Sequence, residues 1–287
     1  MSVLRRAVLY ARMIKLSHSV FALPFALAAA LLAAAEGVRA SQILWIVVAM
    51  VGARSAAMGF NRLADQAIDA RNPRTAAREL PRGVLGRGEV WAFVILSAAA
   101  FVFAAAMLNP LCLALSPVAL AIVLGYSYTK RFTAFSHVVL GLALGIAPIG
   151  AWLAIRGRFH VVPLVLALAV IAWVAGFDTI YACQDVDFDR REGLRSLPAR
   201  LGVAPALRIA RALHVACVLL LGAVYVLVPL HPVYLLGLCG VAALLAYEHS
   251  LVRADDLSRV DAAFFAVNGW VSLGYLAATA AARWLTL

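Results

Sequence analysis

VVPLVLALAVIAWVAGFDTIYACQDVDFDR, residues 161–190, changes character at Asp178. The seventeen residues before it carry no charge, and the thirteen from it onward carry four aspartates: Asp178, Asp185, Asp187 and Asp189. An uncharged apolar run of nearly 20 residues is the length that crosses a bilayer. A carboxylate at the edge of hydrocarbon is costly unless it has a partner. The stretch therefore says two things at once. The chain enters a membrane, and something cationic meets it where it leaves.

Composition agrees. Of 287 residues, 65% are hydrophobic and 14% charged, whereas soluble domains are about a quarter charged. Nine apolar spans are expected, at 17–35, 42–60, 90–108, 111–128, 134–155, 161–180, 207–229, 232–249 and 262–284. Helices satisfy their own backbone hydrogen bonds in hydrocarbon. The expected fold is therefore all-α, a multispanning transmembrane helical bundle of about nine helices, read as a single domain over 1–287. Only Asn109-Pro110 separates spans three and four, which predicts a tight helical hairpin. The first apolar run lacks a small-x-small cleavage site and is expected to remain as a span. Cys112, Cys183, Cys217 and Cys239 show no CxxC spacing, and the six histidines form no cluster. That excludes a zinc-site reading.

Short-loop Lys/Arg bias sets orientation. With the N-terminus inside, the inner segments hold 20 basic residues: Arg5, Arg6, Arg12, Lys15, Arg62, Arg71, Arg74, Arg78, Arg82, Arg87, Lys130, Arg131, Arg190, Arg191, Arg195, Arg200, Arg208, Arg211, Arg253 and Arg259. The outer segments hold four: Arg39, Arg156, Arg158 and Arg283. The expectation is a multi-pass protein of a bacterial-type inner (cytoplasmic) membrane, with N-terminus and Asp-rich loops cytoplasmic. The net charge of +11 then reads as a topology signal and an attraction to anionic lipid. It is spread between spans, so no nucleic-acid partner is expected. Arg54 lies within span two, where it faces the bundle, snorkels or touches substrate.

Two inner loops are long, 61–89 and 181–206, and long loops in compact proteins are usually functional. The first opens with Asn61, Asp65 and Asp69 at intervals of four. Asp178, Tyr181, Asp185 and Asp189 lead into the second at intervals of three and four. Such spacing places each set on one helical face. Downstream, RTAARELPRG (74–83) is echoed by GLRSLPARLG (193–202). The pattern reads as a weak internal duplication, two pseudo-repeated halves at about 17–130 and 134–250 plus a ninth helix, with a shared site between them.

Carboxylates at i,i+4 repel. Repeating that arrangement at the mouths of two spans points to a cation. Carboxylate and amide oxygens without histidine or thiolate are hard ligands, suited to Mg2+. Mg2+ usually takes one or two carboxylates together with substrate phosphates. Arg71, Arg74, Arg78, Lys130, Arg131, Arg190 and Arg191 flank the aspartates and would neutralise a polyanion. The constellation reads as a Mg2+–diphosphate site, with an apolar tail lying among the spans. Asp187 is off the face of Asp185 and Asp189 and reads as a solvated charge. A membrane transporter would also carry repeats and acidic groups, but near the midplane in broken helices, not beside long basic loops.

At these residues the chain resembles the UbiA superfamily of intramembrane aromatic prenyltransferases. Asn61, Asp65 and Asp69 match its NxxxDxxxD motif. Thr75, Arg78, Leu80-Pro81 and Gly83 match TxxRxLPxG. Asp178, Tyr181, Asp185 and Asp189 match DxxYxxxDxxxD, and Tyr126, Lys130 and Arg131 fall in YxxxKRFT. The resemblance implies a cavity open to the bilayer, and transfer of a polyprenyl group from its diphosphate to an aromatic hydroxy-acid. It implies that Asn61, Asp65, Asp69, Asp185 and Asp189 bind Mg2+ and diphosphate. Asp65, Asp69, Asp185, Asp189 and Tyr181 are the implied catalytic residues. Asn61, Arg78, Lys130, Arg131 and Asp178 are implied to bind substrate, Lys130 and Arg131 through the diphosphate or an acceptor carboxylate.

Lys15, His18, Phe21, Pro24 and Phe25 in the entrance stretch, with GFDTIYACQDVDFDRREGL (176–194), look most like the menaquinone-pathway branch (MqnP). Its acceptor is a dihydroxynaphthoate. The ubiquinone-pathway 4-hydroxybenzoate polyprenyltransferases use a related acceptor, and another acceptor altogether is the alternative within the family. Chain length of the donor and oligomeric state have no sequence signal.

Overall fold

The computed structural model describes residues 3–14, 21–34 and 37–286, without the side chains of 3–5 and 7. Among them every regular element is helical. In chain order these are α1 (Val3–Met13), α2 (Ala22–Ala33), α3 (Ala40–Arg71), α4 (Arg87–Leu108), α5 (Pro110–Gly125), α6 (Ser136–Arg156) and α7 (Val161–Ala182). They continue with α8 (Val186–Arg191), α9 (Leu197–Leu201), α10 (Val203–Leu227), α11 (Val233–Ser250), α12 (Val260–Ala262) and α13 (Asn268–Thr286). A 3-10 turn, Tyr126–Arg131, extends α5; another, Cys183–Asp185, joins α7 to α8; a π turn, Ala263–Val267, joins α12 to α13.

Among the described residues, eight helical stretches are long and apolar enough to cross a membrane. They correspond to expected spans two to nine. The first expected span appears as the shorter apolar α2. Residues 15–20, with Lys15 and His18, lie outside the described residues.

Two stretches overrun their expected ends. α3 has 32 residues, about 48 Å at 1.5 Å per residue, against a hydrocarbon core of about 30 Å. Its last three turns carry four of its five charged residues, Arg62, Asp65, Asp69 and Arg71. The stretch Val161–Arg191 likewise runs for 31 residues. The residues expected to open the two long loops are, in both cases, the overrunning ends of helices.

Contacts group the chain into two compact units, Met1–Ser19 with Leu44–Tyr128, and Val20–Ile43 with Thr129–Leu287. In the first, the Asn109 side chain caps α5 by accepting from the Cys112 N–H at 2.9 Å, with Pro110 at the first helical position. There the N–H that proline lacks has no helical partner to lose. Helix α1, which the sequence analysis did not anticipate, is docked by its C-terminal end. Met13 and Ile14 are buried with Leu63, Leu80, Leu85, Val90 and Val94. Tyr10 stacks on Phe93 at 5.0 Å, and Arg62 Nε donates to the Met13 carbonyl at 3.2 Å. That bond satisfies one of the carbonyls a helix leaves open at its end.

In the second unit α7 is the axis. Leu166, Val170, Trp173, Val174 and Ile180 expose no surface, and α6 and α10 pack along its length. α6 comes close because Gly141 meets the backbone of Ile171, where an added Cβ would lie 2.6 Å from the Ile171 oxygen. Small residues permit such approach between membrane helices. α2 lies on α6 and α13, and α11 on α13 and α10.

The docking of α1 is testable. Met13 is 1% exposed, and truncating a buried methionine costs about 2–5 kcal/mol. Met13→Ala should lower the melting midpoint of the detergent-solubilised protein by about 5 °C or more. Val8→Ala, on the exposed face, should leave it unchanged. Equal midpoints for the two variants would contradict the packing of α1.

Candidate active site

In the first unit the acidic face belongs to the overrunning end of α3. Asp65 and Asp69 are buried, 2% and 4% exposed, and Asn61 is half-buried one turn above. The Asn61 Nδ2 donates to Asp65 Oδ2 at 3.2 Å, so the amide turns its nitrogen to the carboxylate and keeps its carbonyl oxygen as a hard donor atom. Arg78 Nη1 donates to Asp69 Oδ2 at 2.7 Å, and Arg62 adds a second positive charge near Asp69. Arg54, two turns earlier, is in electrostatic range of Arg62 and Tyr126, and so faces the interior of its unit.

The segment after α3 gives Thr75, Arg78, Leu80 and Gly83 of TxxRxLPxG each a task. The Thr75 hydroxyl donates to the Asp69 carbonyl at 3.1 Å and closes the helix end. Arg78 holds the Asp69 carboxylate, and Leu80 is buried in the core beneath. Gly83 takes φ +68, a left-handed conformation that costs glycine nothing. There its N–H bonds back to Leu80.

In the second unit Asp178 and Tyr181 lie on the last turns of α7, Asp185 on the 3-10 turn and Asp189 on α8. The Ser196 hydroxyl donates to Asp189 Oδ2 at 2.6 Å while accepting from the Ala199 N–H as the cap of α9. Gly193, at φ +68, turns the chain so that the Leu194 N–H reaches the Asp189 carbonyl at 2.8 Å. Lys130 and Asp185 are both in electrostatic range of Asp189. The Arg195 N–H donates to the Lys130 carbonyl at 2.7 Å and its guanidinium to the Phe132 carbonyl. The segment 195–197 is thereby tied to the stretch carrying Lys130. Arg131 is exposed at the end of that stretch, and Asp187 is exposed between the buried Val186 and Phe188.

One residue of this unit escaped the sequence analysis. His137, on α6 and 3% exposed, meets Asp178 Oδ2 through Nδ1 at 2.6 Å. Its Nε2 accepts the Leu197 N–H at 3.3 Å. A backbone N–H only donates, so Nε2 carries no proton and Nδ1 is the donor to Asp178. His137 thus aims Asp178 and locks the loop beside Ser196. A lone histidine 41 residues from its partner leaves no sequence signal. Ser196 had one: serine ahead of Leu-Pro is an N-cap signature.

The donor set suits a hard divalent cation: carboxylate and amide oxygens, partly buried, with cationic side chains nearby. Among the described residues no three His, Cys, Asp or Glu side chains already converge as a preformed cage.

Residues 22–271 match the UbiA prenyltransferase family, and the chain belongs to it. It is 33% identical over 273 residues to the 4-hydroxybenzoate octaprenyltransferase of Alkalilimnicola ehrlichii, covering 93% of this chain and 91% of that one. The apo structure of a UbiA homolog from Aeropyrum pernix K1 superposes with a TM-score of 0.84 at 36% identity, over 92% of this chain and 97% of the other. A UbiA homolog from Archaeoglobus fulgidus, bound to GPP and Mg2+, shares the fold at TM-score 0.75 and 20% identity, over 96% and 99% of the two chains. The protein is an aromatic prenyltransferase of the membrane.

His137→Ala removes the donor to Asp178 and the anchor of Leu197 together. It should lower prenyl transfer by about tenfold or more with unchanged protein level in membranes. His137→Asn, which keeps a short donor, should fall between the two. An unimpaired alanine variant would show that Asp178 needs no such alignment.

Proposed function

We propose that this enzyme transfers a polyprenyl group from its diphosphate to a ring carbon of a hydroxylated aromatic carboxylate, 4-hydroxybenzoate or a dihydroxynaphthoate, in quinone biosynthesis. The observation that carries the reading is the pair of overrunning helix ends, each with carboxylates at helical spacing and a cationic side chain beside them. The curated relative that acts on 4-hydroxybenzoate supports the acceptor class. The homolog bound to GPP and Mg2+ supports an allylic diphosphate donor and the metal. The basic inner loops support a site on the cytoplasmic side of a bacterial inner membrane.

Asn61, Asp65, Asp69, Asp185 and Asp189 would hold Mg2+. Bound there, it would offset the negative charge that builds on the leaving diphosphate. Arg78, held on Asp69, and Lys130, with Arg131, would supply further positive charge, and charge set in place beforehand stabilises a charge-separating transition state without reorganisation. In the reaction the allylic C–O bond breaks with both electrons leaving on the diphosphate. The ring of the acceptor gives an electron pair to the allylic carbon, and the same ring carbon then loses its proton. Asp178, aimed by His137, and Tyr181 line the approach to the reacting groups. Apolar spans exclude water, which would otherwise capture the allylic cation.

Membranes carrying the protein should attach a labelled polyprenyl chain to an aromatic acid. Chelation should stop the transfer and Mg2+ restore it. Asp65→Ala and Asp185→Ala should each cost more than about 10²-fold in rate at normal expression. Offering 4-hydroxybenzoate and dihydroxynaphthoates side by side decides the acceptor. Absence of product from both, across several donor lengths, would remove the proposed reaction.

A further inference from the structure

The second unit buries a set of polar side chains that the reaction above does not use. Glu248 on α11, Asn268 at the start of α13 and Trp173 on α7 are all fully buried. The Trp173 Nε1–H donates to Asn268 Oδ1 at 2.6 Å. An indole nitrogen only donates, so this bond fixes which end of the amide is oxygen. The Asn268 nitrogen must then face the other way, where it meets three acceptors. They are Glu248 Oε1 at 2.9 Å, the Phe264 carbonyl at 3.2 Å and the Ala263 carbonyl at 3.3 Å.

Those two carbonyls belong to the π turn Ala263–Val267. A π turn is a local irregularity that survives where side chains support it, and it recurs at functional sites. Here Asn268 bridges the turn to a neighbouring helix through Glu248. α10 closes the cluster from another side. His214 Nε2 reaches the Trp173 carbonyl at 3.2 Å, with its ring lying against Gly176, where an added Cβ would sit 2.3 Å away.

The turn presents Phe264. Its ring lies 4.2 Å from that of Tyr181, centroid to centroid, and 5.2 Å from that of Phe177. Phe265, on the same turn, meets the Tyr181 ring edge-on at 6.1 Å. The motif tyrosine is thus packed against the one turn that the Asn268 amide holds.

We propose that the buried Glu248–Asn268 pair is a positioning device for Tyr181: it fixes the π turn Ala263–Val267, and the turn sets Phe264 against the Tyr181 ring and so orients its phenol. The proposal rests on the reading of Tyr181 as a site residue. Glu248 and Asn268 act only through Phe264 and are not catalytic.

The test combines a spectroscopic probe with kinetics. The full-length protein carries 3-fluorotyrosine at position 181, and its 19F signal is recorded in detergent micelles. Asn268→Ala and Phe264→Leu should both shift or broaden that signal, Phe264→Leu without disturbing the buried polar cluster. Glu248→Gln keeps an acceptor oxygen for Asn268 and should restore what Glu248→Ala loses. In turnover, Asn268→Ala should lower kcat by about tenfold and leave the KM for the diphosphate donor within about twofold. In a Tyr181→Phe background the same substitution should cost nothing more. An unmoved 19F signal in both Asn268→Ala and Phe264→Leu, with Tyr181→Phe impaired, would overturn the positioning role alone. Full activity of Tyr181→Phe would instead remove Tyr181 from the reaction, and the proposal with it, whatever the signal does.

Discussion

A carboxylate beside hydrocarbon needs partners, and much of this structure follows from how the chain supplies them. Both acidic motifs sit where a helical stretch runs past its expected apolar span, at the end of α3 and beyond the end of α7. Each overrun is then stitched by the loop that follows. Thr75 and Arg78 hold Asp69; Ser196 holds Asp189, and His137 holds Asp178. The Asp69, Asp178 and Asp189 side chains are consequently held by the protein's own groups. Groups fixed in advance do not have to reorganise when charge develops, as the proposed ionisation of a diphosphate would require.

Rigidity of this kind is inherited from packing. α7 buries most of its apolar residues because α6 and α10 flank it, leaving Val161, Leu164 and Leu168 exposed. The same helix presents Trp173 to the polar cluster and, two turns on, Asp178 and Tyr181 to the site. A change in the buried cluster is therefore one short helical segment away from the motif. By contrast α4 and α5 expose Ile95, Leu96, Phe103 and Val118, as suits helices whose outer faces meet lipid. They serve the first unit as a hairpin, not as an axis.

Spans three to five and seven to nine could be read in the sequence to within a few residues, since hydrocarbon thickness sets their length and proline and asparagine mark the α4–α5 turn, while spans two and six run eleven residues past their expected ends. The acidic faces were legible from spacing alone. What the sequence analysis took for the openings of loops are helices, because charged residues end an apolar run without ending the helix. Helix α1 was missed for a related reason: its burial depends on Met13 and Ile14 meeting Leu63 and Leu80, distant in sequence. His137 and Asn268 were likewise illegible. Each is a single polar residue inside an apolar helix, and only tertiary packing brings it to Asp178 or to Glu248.

The central proposal is that the aspartates of each acidic motif take part in binding Mg2+ and diphosphate. Calorimetric titration of the solubilised protein with an unreactive thiolo analogue of geranyl diphosphate tests it directly, with and without Mg2+, in wild type, Asp65→Asn and Asp185→Asn. The account predicts one analogue bound per chain, binding that requires Mg2+, and affinity weakened about tenfold or more in each variant. Equal affinity in all three proteins, with or without Mg2+, would contradict it.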